Sequence, residues 1–342
     1  MKKYNDIIIS RLMGIGDTIM LTPLLQGIKR LYPDTKITMV TEYHTLPLTK
    51  RMPFIDCALA FDKNLHDEWY FIKNLWRKDL VYCVDTSYRI SLIYALAMIK
   101  ERIGFPHKRG MYLTKYLQYE PWMDNAYEPF VHAVLFKQAT GIDVTKLDNW
   151  DKFYYPEVNR DEKSNMDNLM RLNGLKQHNY IVCSLESDTW QKDWPIDKWL
   201  ELFNKLNSLR KKVVILGIKS KRLNDIKFPD NVIDFRGETN LIEMGYIVKN
   251  ANLLIAVSSL FVHVANAFNI PIIGLYGPQP VIRDAPPKNT FALIKTTAEC
   301  APCDLLIGPS RGHCDAPFCM KSITVDDVFK EVERFFIGDE KF

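Results

Sequence analysis

The chain has 342 residues, 47% hydrophobic and 25% charged, the balance of a soluble globular protein long enough for two ordinary domains. A net charge of +4 is too weak to argue for nucleic acid and suits a phosphorylated substrate or the edge of an anionic membrane. No apolar run approaches the ~20 residues that span a bilayer. MKKYND leads straight into a strand-like IIIS rather than a signal peptide, so the expected compartment is reducing and cytoplasmic.

Residues 7–10 read as a short strand. Gly14 and Gly16 follow, where the backbone can turn tightly and a ligand can approach. Met20, Leu21, Leu24, Leu25, Ile28 and Leu31 then fall at helical spacing. Asp17 stands at that helix's start, either as a cap or as a carboxylate projecting into a cleft. The glycines fall short of a dinucleotide fingerprint. Strands are expected over 36–41, 58–61, 79–85 and 102–105, with a helix over 91–98. Such alternation argues for a parallel sheet covered on both faces. Residues 105–127 are basic and aromatic without periodicity and read as loops, with His107 to Arg109 offering a basic face to an acceptor.

Helical spacing returns over 131–140. A charged stretch between 151 and 176, poor in aliphatics, reads as the interdomain linker and gives two domains, residues 1–160 and 161–342. The second domain is expected to open with a strand over 181–185, then a loop carrying Lys192 and a helix from Pro195. Lys192 can hold a phosphate as a point charge, against the commoner role of a surface lysine. Strands over 213–217 and 232–235 and a helix over 241–248 follow.

Residues 253–280, LLIAVSSLFVHVANAFNIPIIGLYGPQP, form a β-α-β unit. A strand from Leu253 to Val257 is apolar enough to be buried on both faces. Ser258 and Ser259 are residues whose hydroxyls cap helix N-termini. Leu260, Val264 and Ala267 then recur at helical spacing, with His263 on the same helix, and a strand over 270–276 ends at Gly277-Pro278. A helix N-terminus above a strand's carboxyl end is an anion site.

Of the seven cysteines, Cys57, Cys83 and Cys183 are scattered among strands. Cys300, Cys303, Cys314 and Cys319 read C-x2-C-x10-C-x4-C, with His313 beside the third. That is the pattern of a structural zinc site; reduced thiols or a loop-closing disulfide are the alternatives. Thr324 and Asp327 resemble a capping box, and Val328, Val332, Phe335 and Phe336 mark a closing amphipathic helix.

Together these segments resemble glycosyltransferase family 9, the lipopolysaccharide heptosyltransferases. Arg11, Ile15, Gly16, Asp17 and Pro23 match the family's R-x-x-x-I-G-D-x-x-x-x-x-P element. Lys192, Trp194 and Pro195 match K-x-W-P, and Gly237, Thr239 and Leu241 match G-x-T-x-L. His263, Pro271, Leu275, Tyr276, Gly277 and Pro278 match the closing pattern D-[ST]-G-x-x-H followed by P-x-x-x-L-[FY]-G-P. There Ser259 agrees, while Ser258 replaces the family's aspartate and Leu260 its glycine.

The resemblance implies a GT-B fold: two Rossmann-like domains whose parallel sheets face a central cleft, with acceptor on the first and nucleotide on the second. The implied reaction is inverting transfer from an ADP-heptose-like nucleotide diphosphate sugar to a glycan or lipid-linked glycan. It would proceed in the cytoplasm or at the inner membrane face, with peripheral membrane contact and no nucleic acid partner. Asp17 would be the base, with Arg11, Gly14 and Gly16 on the acceptor side. Lys192, Thr239, Ser258, Ser259 and His263 would hold the donor, so that transfer needs no cofactor. In the family the D-[ST]-G segment holds the donor's diphosphate and sugar, so the serine at 258 removes a carboxylate suited to sugar hydroxyls. A GT-B-shaped nucleotide-sugar epimerase or hydrolase, or a non-catalytic binding module, is the competing reading.

Overall fold

The computed structural model describes residues 3–12, 14–61, 68–223, 226–304, 314 and 317–337. The chain divides into two compact units, Met1–Tyr154 and Tyr155–Phe342. Each is built on a six-stranded parallel sheet.

In the first unit the strands are β1 (Asp6–Arg11), β2 (Lys36–Thr41), β3 (Cys57–Ala60), β4 (Leu80–Cys83), β5 (Glu101–Gly104) and β6 (Lys115–Tyr116). They lie in the order β3-β2-β1-β4-β5-β6. Helices α1 (Ile15–Met20), α2 (Thr22–Leu31), α3 (Leu46–Thr49), α4 (Glu68–Asn74), α5 (Tyr88–Leu96) and α6 (Glu128–Thr140) accompany them. Ile7, Ile8 and Ile9 are all buried, as a strand covered on both faces requires.

Two local expectations need correcting. The single helix expected from residue 18 is two helices broken at Leu21, because Pro23 sits in the first turn of α2 and has no N–H to continue the first ladder. Thr22 Oγ1 donates instead to the Ile19 carbonyl at 2.7 Å. Within 105–127, β6 and two short 3-10 turns replace plain loop. Arg109 is wholly buried and is not a basic face for an acceptor. Its guanidinium donates to the Phe105 and Cys83 carbonyls and to Ser91 Oγ, which ties the loop to the sheet.

The second unit carries β7 (Tyr180–Ser184), β8 (Lys212–Ile215), β9 (Val232–Asp234), β10 (Leu253–Val257), β11 (Ile272–Tyr276) and β12 (Thr290–Lys295), in the order β12-β11-β10-β7-β8-β9. Its helices are α7 (Arg160–Leu172), α8 (Ile196–Ser208), α9 (Leu241–Lys249), α10 (Leu260–Ala267), α11 (Val281–Asp284), α12 (Phe318–Ser322) and α13 (Val325–Ile337). The stretch expected to be a linker contains α7. Its N-terminus is closed by a capping box between Asn159 and Glu162, and it buries only Met166 and Met170. The closing helix is α13, with Thr324 ahead of it and Asp327 in its first turn bonded reciprocally. Its Val328 and Val332 join Trp194, Trp199, Leu202 and Phe203 in one core. Trp194 Nε1 donates to the Ile323 carbonyl at 3.1 Å, so the K-x-W-P tryptophan anchors its loop to the chain's end. Among the described residues no helix is long and apolar enough to cross a membrane.

Candidate active site

Each sheet reverses direction once. In the first the reversal falls between β1 and β4, in the second between β7 and β10. Ligands of open parallel sheets bind beyond the strands' carboxyl ends at such points, where the outgoing loops diverge. Arg11 and Asp17 follow β1, Lys192 follows β7, and Ser258, Ser259 and His263 follow β10, the strands that flank these points, whereas Thr239 follows the edge strand β9.

In the first unit, Arg11 is the last residue of β1 and Asp17 lies in the first turn of α1. Asp17 is not the cap: Gly14 holds that position, with φ 67°, and no side chain caps the helix. A Cβ on Gly14 would meet Asp17 Oδ2 at 2.1 Å. Glycine there is needed both for the left-handed backbone and for the space the carboxylate fills. Gly16 lies inside α1 rather than in the turn.

Arg11 Nη2 pairs with Asp17 Oδ2 at 2.9 Å and lies 3.7 Å from Glu128 Oε1. Burial works against the Arg11 charge, but the Asp17 and Glu128 carboxylates outweigh it and hold the guanidinium above its ordinary pKa. Glu128 in turn faces His132 Nε2 at 3.4 Å, and His132 Nδ1 lies 3.2 Å from the Tyr82 hydroxyl. Asp17 keeps 30% of its side-chain surface exposed, against 16% for Arg11. A carboxylate fixed on one edge by a cation and open to solvent can take a proton from an incoming hydroxyl. Two residues past β4, Asp85 is buried and accepts from Ser10 Oγ at 2.7 Å and from the Ser87 N–H. Burial pushes its carboxyl up from the usual range.

In the second unit, Ser184 closes β7 and Ser259 is the N-cap of α10. Their hydroxyls lie 3.1 Å apart across the reversal. Contrary to expectation, neither serine hydroxyl at 258–259 caps the helix. Ser259 is turned to Ser184, Ser258 Oγ reaches Asp284, and α10 has no side-chain cap. The Val262 N–H turns back to the Ser259 carbonyl at 3.2 Å, so the N–H groups ahead of it, at Leu260 and Phe261, are the ones suited to an anion. His263, one turn into α10, is buried.

Lys192 lies in a 3-10 turn following β7, 17% exposed, with Nζ 3.3 Å from Asp188 Oδ1. Partial desolvation tends to raise the Asp188 carboxyl, though its side chain is mostly exposed, and Lys192 together with the Thr189 hydroxyl and N–H outweighs it, so the net direction is down. The next residue, Asp193, is pushed up to about 6 by burial, even though the Ser187 N–H and Arg222 both favour its charge. Thr239 is half-buried just ahead of α9, whose cap is Asn240.

The cysteine segment folds against the end of β11. The Cys303 N–H donates to the Pro278 carbonyl at 2.9 Å, and a Cβ on Gly277 would meet Cys319 Sγ at 3.0 Å and Met320 Sδ at 2.5 Å. Cys300 is exposed, Cys303 and Cys314 half-buried and Cys319 buried, and none of the four is paired in a disulfide. Among the described residues no three His, Cys, Asp or Glu side chains are placed to hold a metal ion, so the expected zinc cage does not assemble from them. His313 lies outside the described residues.

Sequence reading missed Glu128, His132, Asp85 and Asp284. The first two stand more than a hundred residues from Arg11, and no local pattern announces that pairing. Asp85 had a weak signal as the acidic residue closing an apolar strand.

Two Rossmann-like units, each a six-stranded parallel sheet flanked by helices, are the architecture of the GT-B class of glycosyltransferases. The family model described as glycosyltransferase family 9 (heptosyltransferase) matches residues 69–305, and the chain belongs to that family. Lys192, Ser258, Ser259 and His263 fall inside the matched stretch, whereas Arg11 and Asp17 precede it.

The lipopolysaccharide core heptosyltransferase OpsX of Haemophilus influenzae is 23% identical over 310 residues, covering 86% of this chain and 85% of that protein. Among solved structures, the family 9 glycosyl transferase of Veillonella parvula superposes with a TM-score of 0.77 at 18% identity, covering 98% of this chain and 97% of that one. The Escherichia coli ADP-heptose lipopolysaccharide heptosyltransferase II gives 0.72 at 19% identity, covering 98% and 100%. These similarities establish the fold.

Proposed function

We infer that this glycosyltransferase moves a heptose-like sugar from an ADP-linked donor onto a lipopolysaccharide-core or related lipid-linked glycan, with inversion and without a metal. The observation that carries the reading is Asp17, held by Arg11 at the β1 end and left room by Gly14. Asp17 takes the proton of the acceptor hydroxyl as its oxygen attacks the anomeric carbon. The bond from that carbon to the diphosphate oxygen breaks, and the leaving diphosphate carries off the electron pair. Lys192 and the first-turn N–H groups of α10 compensate the charge that develops there, a task that other enzymes give to a metal.

The donor and acceptor classes rest on the relatives: one is described as a lipopolysaccharide core heptosyltransferase, and an Escherichia coli heptosyltransferase was solved with an ADP-linked fluoro-heptose. A lipid-linked acceptor places the reaction at the inner membrane face, with the enzyme in peripheral contact.

Thermal shift against a panel of nucleoside diphosphates and their sugars tests the donor assignment. A ligand at 100 times its Kd stabilises by about 2.7 kcal/mol. ADP and an ADP-linked heptose are expected to raise the midpoint, the latter more. A panel in which only a uridine or guanosine diphosphate series stabilises would refute the donor base.

A further inference from the structure

The carboxyl ends of β10 and β11 carry a connected cluster of buried polar side chains that the diphosphate reading leaves unused. Ser258 Oγ donates to Asp284 Oδ2 at 3.5 Å, and the other oxygen of Asp284 accepts from Arg283 Nε at 3.2 Å. Arg283 Nη2 also lies 4.0 Å from Asp304 Oδ2, an oxygen that accepts from Gln279 Nε2 at 2.8 Å. Gln279, Arg283 and Asp284 are 5%, 7% and 9% exposed. We propose that Asp284 is the carboxylate that reads the donor's sugar hydroxyls, in place of the one this chain lacks at position 258.

Three observations carry the assignment. Ser258 immediately precedes the N-cap of α10, so whatever bonds to its side chain lies beside the anion site. Its bonded partner is a carboxylate brought from a different element, α11, whose backbone is fixed by the Arg283 and Asp284 N–H groups donating to the Pro280 carbonyl. Independently, Gln279 Oε1 is buried and accepts no hydrogen bond among the described residues, while its Nε2 is committed to Asp304. A buried carbonyl oxygen left without a donor is costly unless a ligand supplies one. A polyol does so, since each hydroxyl can donate to a carboxylate or amide oxygen and accept from an arginine or serine. Arg283 Nε donates to Asp284 at 3.2 Å and orients it, and a carboxylate so placed offers a hydroxyl acceptor lone pairs.

The assignment rests on the donor reading and deepens it, and the test separates the two. The probes are ADP and ADP-linked 2-deoxy-2-fluoro heptose, titrated calorimetrically into the full chain. Hydrogen bonds to charged groups are worth enough that Asp284→Asn is expected to weaken the sugar nucleotide about 10- to 100-fold. ADP should bind the variant within about twofold of the parent, because a diphosphate does not use this carboxylate. Combining Asp284→Ser with Ser258→Asp returns the carboxylate to the strand end and is expected to recover most of the lost affinity. A parent that binds both probes, with Asp284→Asn binding both as the parent does, overturns the assignment alone. Equal weakening of ADP and sugar nucleotide also overturns it, since that marks Asp284 as structural. A parent that gains nothing from the sugar moiety overturns the donor reading and this assignment with it.

Discussion

Asp17→Asn is expected to transfer sugar about 10²- to 10⁴-fold more slowly than the parent, the range general-base catalysis ordinarily supplies. The substitution keeps the volume and the position in the first turn of α1 but removes the proton acceptor. Its structural cost is small because Asp17 is not the helix cap, which is Gly14. Arg11 loses one partner and retains Glu128 within 3.7 Å. Partly exposed pairs of this kind contribute about 1 kcal/mol or less, so the melting temperature should move little. Donor affinity should stay near that of the parent, since Lys192, Ser258 and Ser259 belong to the other unit. Steady-state kinetics would show the loss in kcat with little change in the donor KM. Transfer at the parental rate would reduce Asp17 to a partner for Arg11.

Lys192→Ala is the second large effect: nucleoside diphosphate affinity is expected to fall by roughly 10- to 100-fold, the worth of a charge-assisted hydrogen bond to phosphate. Lys192 already faces a carboxylate, Asp188, at 3.3 Å. Asp188 is itself 83% exposed, so losing the lysine strands no buried charge and the fold should persist. On the proposed assignment the diphosphate is expected to displace Asp188 as the lysine's partner, because it brings more negative charge than one carboxylate. Lys192→Arg should rescue only in part, because a planar fork does not occupy the place of a compact ammonium. Calorimetry with ADP reads the outcome directly. Parental affinity in the alanine variant would remove Lys192 from the donor site.

What the sequence revealed, and what it hid, follows from where each residue's constraints originate. Leu253–Val257 was readable to the residue because a strand buried on both faces is a bounded apolar run. The Thr324–Asp327 box was readable because both partners lie within one turn. α7 was hidden because all but two of its residues stay out of the core, so its charge resembled a linker's. β6, two residues long and exposed, left no pattern at all. The same distinction governs the site. Asp17, Lys192, Ser258 and Ser259 sit in local motifs at strand ends, where turn chemistry marks them. The misreading of Arg109 has the opposite origin, since its burial comes from Cys83 and Ser91, contacts that only the tertiary fold creates. Asp284 likewise meets Ser258 from 26 residues away, through the packing of α11 beside β10.

The central claim is a single displacement in which Asp17 deprotonates the acceptor and the diphosphate leaves without metal assistance. The most direct measurement is nuclear magnetic resonance of the product formed from an ADP-linked heptose and a heptose-deficient lipopolysaccharide-core acceptor, in excess chelator. The expected product has the anomeric configuration opposite to the donor's, with one ADP released per sugar transferred. A product that retains the donor's configuration, or transfer that stops when the chelator is added, would contradict it.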